Sequence, residues 1–496
     1  MTAKHFFFLL MLSSVTFISS AQSWQWAYSS GMPTRTNAIA FKKDLNGDFY
    51  LASYTDSNNL RVATYLQKRD DAQQLLWQKQ ITGEVSFSDI EVNASNHVIA
   101  VGFFIGNVDV DGTTLTSFSS TENSAFIFEC DEAGVIQWVH SFNPVNGDYR
   151  SGDLFINSDG SMYLTSQVSG SFGGCAFHNL NSQGDIVKSE FNNDFLIRTF
   201  SHILADSVGN VYLSGTCSST AMFDTIQANL TLSYENFLVK YDSSFTAQWL
   251  RTSEYITFDH NNSLVASGNK LYWGVDEFTA NPDTIQIYVY DYSGSLIRKV
   301  AGPMPDSFFP SFTFTVNSAG ELFMAVNIYT RVYCYHYDSS FNIDWSDTLY
   351  TSTSGFPFEH GLTVDDSSFY LAALYFSDTL QIGNTMLINP NSVGHASDIF
   401  VAKWSGQLSN SVTELNDNSN LVSVYPNPAS EELNVQLYGS PEADISIYST
   451  LSRLVYHSKL KGTELKIPLE NLLSGIYFME INCEGLHTVV KKLVVQ

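Results

Sequence analysis

The chain has 496 residues, with 50 acidic against 24 basic side chains and a net charge of −26. So acidic a surface repels phosphate backbones and anionic lipid, which disfavours nucleic-acid binding. Aromatic residues make up 14% and charged residues only 15% of the chain, a composition that favours strands over helices.

Lys4 and His5 open a short basic start. Phe6 to Ile18 is mostly apolar, and Ser19, Ser20 and Ala21 supply small residues before Gln22. That is the layout of a secretory signal peptide over residues 1–21; a buried N-terminal strand is the alternative. No cysteine follows the cleavage site, so lipid anchoring there is not expected. The apolar stretch is short for a permanent span and no other long one occurs, so no transmembrane segment is expected.

One phrase then recurs along the chain. Its clearest copy is DSVGNVYLSG, Asp206 to Gly215, with related copies from Lys42, Glu91, Ile156, Val265, Val316 and Val364. Each joins two apolar, alternating segments through Asp, Asn, Ser or Gly, which is a hairpin signature. A second phrase follows several copies, as in NFLVKYDSSFTAQW ending at Trp249, with parallels ending at Trp77, Trp138 and Trp345. Each unit therefore predicts two hairpins, or four strands. The turn markers Gly47, Asn96, Gly160, Gly209, Gly268, Gly320 and Ser367 lie about 53 residues apart on average, a spacing typical of propeller blades. The expected fold is all-β: a seven-bladed β-propeller over residues 22–407, followed by a small C-terminal β-sandwich. The third unit reads as degenerate, with an ill-defined second hairpin around His178 to Phe191. The last unit stops after SDIFVAKWSGQLSNS without its final strand. SWQWAYSSG, from Ser23, looks like that strand, so Trp24 to Ser29 is expected to complete the last blade and remove a free edge. The alternating phrases resemble β-propeller repeats common in secreted bacterial proteins, over residues 24–408.

Residues 408–420 have linker composition. The segment 421–496 opens on Tyr425-Pro426-Asn427-Pro428, where two prolines exclude a central strand. Six or seven short strands follow, which suggests a small sandwich. The YPNP lead-in, the LSGIYFMEI stretch containing Gly475 and Tyr477, and the terminal KKLVVQ with Lys491 and Lys492 together resemble the C-terminal sorting domain of the type IX secretion system of Bacteroidetes. The resemblance implies recognition by the type IX translocon and passage through the periplasm and outer membrane. The protein is then released or held at the cell surface. A small adhesive sandwich that stays attached is the alternative.

Chemical motifs are scarce: no Walker loop, HExxH, GxSxG or SxxK occurs. Asp44, Asn46 and Asp48 place oxygens at alternate positions, as calcium loops do, although Asn-Gly is also a common hairpin turn. No cofactor is otherwise expected. Aligning the units places Asp89, Asp153, His202, His260 and His360 at equivalent positions before the first strand of a hairpin. In a ring such positions face one axis, so the five could gather at a channel mouth and bind a cation or polar ligand; solvated loop residues or caps are the alternative. The unit-end tryptophans are expected to pack between blades rather than to stack on sugars. The five cysteines (130, 175, 217, 334 and 483) show no CxxC spacing. They exclude a disulfide-built scaffold and leave one bridge, or buried free thiols, open. Asp-Ser/Thr followed by an apolar residue, at Asp206, Asp224, Asp283, Asp347 and Asp378, resembles the O-glycosylation acceptor of Bacteroidetes. The resulting expectation is an extracellular or surface binding module for a glycan or protein. A propeller-type polysaccharide lyase or glycoside hydrolase is the alternative.

Overall fold

The computed structural model describes residues 23–405 and 422–495 apart from short loops, the longest of them 254–261, 303–310 and 351–360. The expected signal peptide and linker lie outside the described residues. The chain divides into two compact units, Met1–Ser409 and Asn410–Gln496.

In the first unit each repeat becomes a four-stranded antiparallel sheet, and the described residues form seven such sheets. Their innermost strands are Arg35–Lys43, Glu84–Val92, Asp148–Ile156, Ile197–Ala205, Asn262–Ser267, Ser311–Val316 and Leu362–Val364, in sheets 1 to 7. Each innermost strand touches those of the sheets before and after it, and the strand of sheet 7 touches that of sheet 1. The sheets therefore close into a ring, a β-propeller. Sheet 7 takes its outer strand from the start of the chain: Ser23–Ser29 pairs antiparallel with Asp398–Ser405.

The turns explain why the repeats fold as hairpins. In the turn between the last two strands of sheet 2, Asp131 Oδ1 accepts the amides of Ala133 and Val135 at 3.0 and 2.8 Å. Gly134 closes that turn at φ 81°, a left-handed conformation that costs glycine little. The third unit is not degenerate. Gly174–Leu180 and Ile186–Asn192 form a regular hairpin, held by Asn181 Oδ1 accepting the amides of Gln183 and Asp185.

The unit-end tryptophans pack between sheets. A Cβ added to Gly134 would lie 2.9 Å from the Trp77 ring, one on Gly184 2.4 Å from Trp138, and one on Gly294 2.9 Å from Trp249. Each outer-strand indole thus lies on the turn glycine of the next sheet. Two junctions use the reverse pairing. Lys188 stands at the tryptophan register of sheet 3 and Arg298 at that of sheet 5. Their cationic groups lie 4.3 and 5.0 Å from the rings of Phe245 and Phe341, which occupy the glycine place at φ 59° and 64°. A large ring on one side thus meets no side chain on the other, and a flexible cation meets a ring. Gly184→Phe is therefore expected to destabilise the propeller by about 1–3 kcal/mol through overpacking. Adding Trp138→Lys should restore most of that loss. Urea unfolding of the single and double variants checks it, and no recovery in the double variant would contradict the pairing rule.

Sheets 2, 4 and 7 each carry an additional hairpin between their second and third strands: Asn107–Val110 with Thr113–Thr116, Met222–Phe223 with Ile226–Gln227, and Thr379–Ile382 with Thr385–Ile388. The first packs on the outer strand Leu75–Thr82 of sheet 1, and the third on Ile343–Tyr350 of sheet 6. They shield strand edges that would otherwise be open to pairing.

Among the described residues the second unit has seven strands in two sheets. Val422–Tyr425, Glu432–Leu437 and Glu464–Pro468 form one; Leu454–Lys461, Glu442–Ser449, Gly475–Cys483 and Val489–Val495 form the other. Leu433, Val435, Ile445, Ile447, Met479, Ile481 and Leu493 from both sheets share one core, so this unit is a small β-sandwich.

Candidate functional site

Three of the five aligned channel residues fall in the described structure; His260 and His360 lie outside it. Asp89, Asp153 and His202 stand on consecutive innermost strands, each beside a break in register that marks a β-bulge. A bulge re-aims a side chain, and here it turns each one toward the following sheet. Asp89, 1% exposed, accepts the amide of Leu154 at 3.1 Å and that of Ile90 at 2.8 Å. Asp153 Oδ2 accepts the amide of Ile203 at 2.8 Å. His202 Nε2 lies 2.8 Å from the Asn262 carbonyl and so carries the proton, while Nδ1 faces Asp153 Oδ1 at 3.7 Å. The same relay extends around the ring. Lys42 pairs with Glu91 at 2.6 Å between sheets 1 and 2, Ser267 donates to the Asn317 carbonyl between sheets 5 and 6, and Lys43 pairs with Asp365 between sheets 7 and 1. The three described residues are thus fasteners between sheets.

Their acidities follow from this crowding. Burial raises the Asp89 carboxyl and the nearby Asp153 charge raises it further, against the pull of Lys42; the net direction is upward. Burial also pushes Glu91 up to about 7, with Lys42 opposing and Asp89 reinforcing. Burial pulls the His202 imidazole down, but its contacts with Asp153 and the Asn262 carbonyl outweigh this and raise it. Each of these groups holds its proton more tightly folded than unfolded. Their stabilisation is complete in mild acid and is lost as pH rises, for Glu91 between the usual carboxylate range and about 7, and for His202 through its raised value. His178, bonded to Tyr149 and Ser189, has the opposite sign. Burial pulls it down to about 4, so its contribution is lost as pH falls below the ordinary histidine range. Replacing Asp89 by Asn is expected to flatten the fall of the thermal midpoint between pH 5 and pH 8. Melting curves of both proteins across that window check it; a steeper fall in the variant would contradict the assignment.

The carboxylates of the Asp44 loop face an internal cation. Lys68 Nζ lies 3.0 Å from Asp44 and 3.2 Å from Asp48, so an internal ammonium balances both carboxylates. Asp44 Oδ1 is committed to the amides of Asn46 and Asp48. Among the described residues, no group of three or more His, Cys, Asp or Glu side chains is arranged to hold a metal. Cys130, Cys175, Cys217 and Cys334 are free and buried, so no bridge joins them. Of the Asp-Ser/Thr sites, Ser207, Thr225 and Thr379 are exposed.

In the sandwich, the three terminal motifs meet on the last strand. Asn427 Oδ1 accepts the amide of Val494 at 2.9 Å, and the Ala429 amide donates to the Val494 carbonyl. Tyr425 to Pro428 are exposed. Gly475, Tyr477, Phe478 and Met479 pair with Val495, Leu493, Lys492 and Lys491. Tyr477 turns into the core at 9% exposure, whereas Phe478 is 39% and Tyr425 44% exposed.

A β-propeller passenger followed by a small terminal sandwich defines a cargo-and-address architecture. The address is the secretion system C-terminal sorting domain, which matches residues 423–496. The chain is therefore sorted by the type IX system to the cell surface or the exterior. No helix of the described residues is long and apolar enough to cross a membrane. Similar solved structures include PorZ, an essential surface component of the type-IX secretion system of Porphyromonas gingivalis, at 12% identity and TM-score 0.38, covering 92% of this chain and 59% of that one. The polysaccharide lyase Uly1 is 9% identical with TM-score 0.46, covering 77% and 99%. An ulvan lyase of family PL25 is 10% identical with TM-score 0.44, covering 73% and 96%. This chain spans only 59% of the PorZ length. At these identities and scores the likenesses carry no inference about activity. No curated protein matches the sequence.

Proposed function

We propose that the propeller is a recognition module for a glycan or a protein, carried outside the cell by the type IX translocon acting on its terminal sandwich. The observation that supports this reading is the commitment of the channel groups. Asp89, Asp153 and His202 give their hydrogen bonds to the backbone of the next sheet, which suits a rigid scaffold presenting loops. A lyase or hydrolase is the second reading, favoured by the Asp153–His202 contact, since a general base needs such a partner.

A glycan array of the mature propeller, run with and without divalent cations and followed by product analysis, separates the two. Binding without turnover is expected, and Asp153→Asn should lower thermal stability while leaving affinity unchanged. Release of sugar product that disappears in Asp153→Asn would establish the enzyme and reject the module.

A further inference from the structure

Both ends of the propeller carry cations, with Arg69 and Arg298 at the end of the tight hairpin turns and Lys79 toward the other. Lys42, Lys43, Lys68, Lys240, Lys270 and Lys403 lie toward strand ends that face the tight hairpin turns. The opposite end carries the connections between sheets and between second and third strands. There Arg150 and Arg198 lie near the start of innermost strands, and Arg331 starts a third strand.

These guanidinium groups lie over aromatic rings. Arg198 is 5.0 Å from the centroid of the Tyr234 ring, with Nη2 donating to the Tyr234 hydroxyl at 2.7 Å. Arg331 is 5.2 Å from the Tyr350 ring, with Nη1 donating to the Tyr333 hydroxyl at 3.2 Å. Arg150 lies 5.3 Å from the Phe103 ring but also pairs with Asp148 at 3.0 Å. Among the described residues, no carboxylate pairs with Arg198 or Arg331. That is unexpected in a chain with twice as many acids as bases. Both arginines are exposed, and Tyr350 is 62% exposed. Stacking fixes the guanidinium plane while leaving N–H groups free for a planar anion.

We propose that this end of the propeller binds an anionic polysaccharide, with Arg198 and Arg331 taking carboxylate or sulfate groups and Tyr350 offering a face to a sugar ring. The two arginines stand on sheets 4 and 6, separated by sheet 5, so an extended polymer suits them better than a single sugar. The inference rests on the binding-module reading and names its ligand class.

Affinity electrophoresis of the mature propeller in gels containing alginate, dextran sulfate or neutral dextran tests it. Retardation by the two anionic polymers and not by dextran is expected. Arg198→Ala with Arg331→Ala should weaken it at least tenfold, Tyr350→Ala should weaken it as well, and Lys270→Ala at the opposite end should leave it unchanged. Added salt should weaken it throughout. The wild type ignoring both anionic polymers, or an unchanged affinity in the double arginine variant, would overturn the inference. If the glycan array nevertheless shows binding, the module reading stands without it; if the array shows none, the glycan half of that reading falls as well.

Discussion

Removal of Ser23–Ser29 is expected to destabilise the propeller by on the order of 5 kcal/mol, and to promote self-association. That strand supplies the whole outer edge of sheet 7. Its Trp24 ring packs 5.5 Å from Phe369 and 6.0 Å from Trp345, and the indole donates to Asp347 at 2.6 Å. At the other end of the strand, Ser29 and Ser30 donate to Asp398, which is fully buried. The deletion removes the Ser29 donor and leaves Ser30 without the strand that positions it, a loss of about 1–3 kcal/mol for a buried group left unsatisfied. The freed edge Asp398–Ser405 would then offer its ladder groups to a second molecule. Urea unfolding and size-exclusion chromatography of the truncated protein read both effects. Wild-type stability together with an unchanged elution volume would contradict the closure.

Deleting Lys491–Gln496 is expected to abolish delivery to the surface and medium and to leave a folded propeller in the periplasm. The deletion removes Leu493 and Val495 from the sandwich core and takes away the partners of Asn427, Gly475 and Tyr477. The propeller has its own core, so its resistance to protease should be unchanged. Fractionation with immunoblotting, combined with limited proteolysis of the retained protein, checks both halves. Normal appearance of the truncated chain in the medium would reject the sorting role. Loss of protease resistance would show that the two units do not fold independently.

How far the sequence discloses this molecule depends on which residue types carry each feature. The hairpins are legible because Asp, Asn and Gly at fixed offsets satisfy the turn amides and tolerate positive φ. The closing strand is legible because SWQWAYSSG has the alternation that the last unit lacks. The third unit hid its second hairpin because Lys188 stands where other units place tryptophan, so the most visible marker of the phrase is missing. Its compensation, Phe245 in place of glycine, lies in the next unit and shows only when neighbouring sheets are paired. The additional hairpins at sheets 2, 4 and 7 escaped because short strands do not repeat from unit to unit. Alignment put Asp89, Asp153 and His202 just before the first strand of a hairpin, whereas they lie within the innermost strands, and a register position does not reveal what a side chain touches. Each proved to be bonded to the backbone of the following sheet. In the same way Asp44 and Asp48 suggested a cation without showing that Lys68, from the third strand of the same sheet, supplies it.

A strand from the beginning of the chain locks the ring of sheets. Native-state hydrogen exchange followed residue by residue tests it most directly. Closure predicts that the hydrogen-bonded amides of Ser23–Ser29 exchange as slowly as those of Asp398–Ser405 and share their dependence on denaturant. Exchange of the N-terminal amides at the rate of a free peptide, with Asp398–Ser405 still protected, would contradict it.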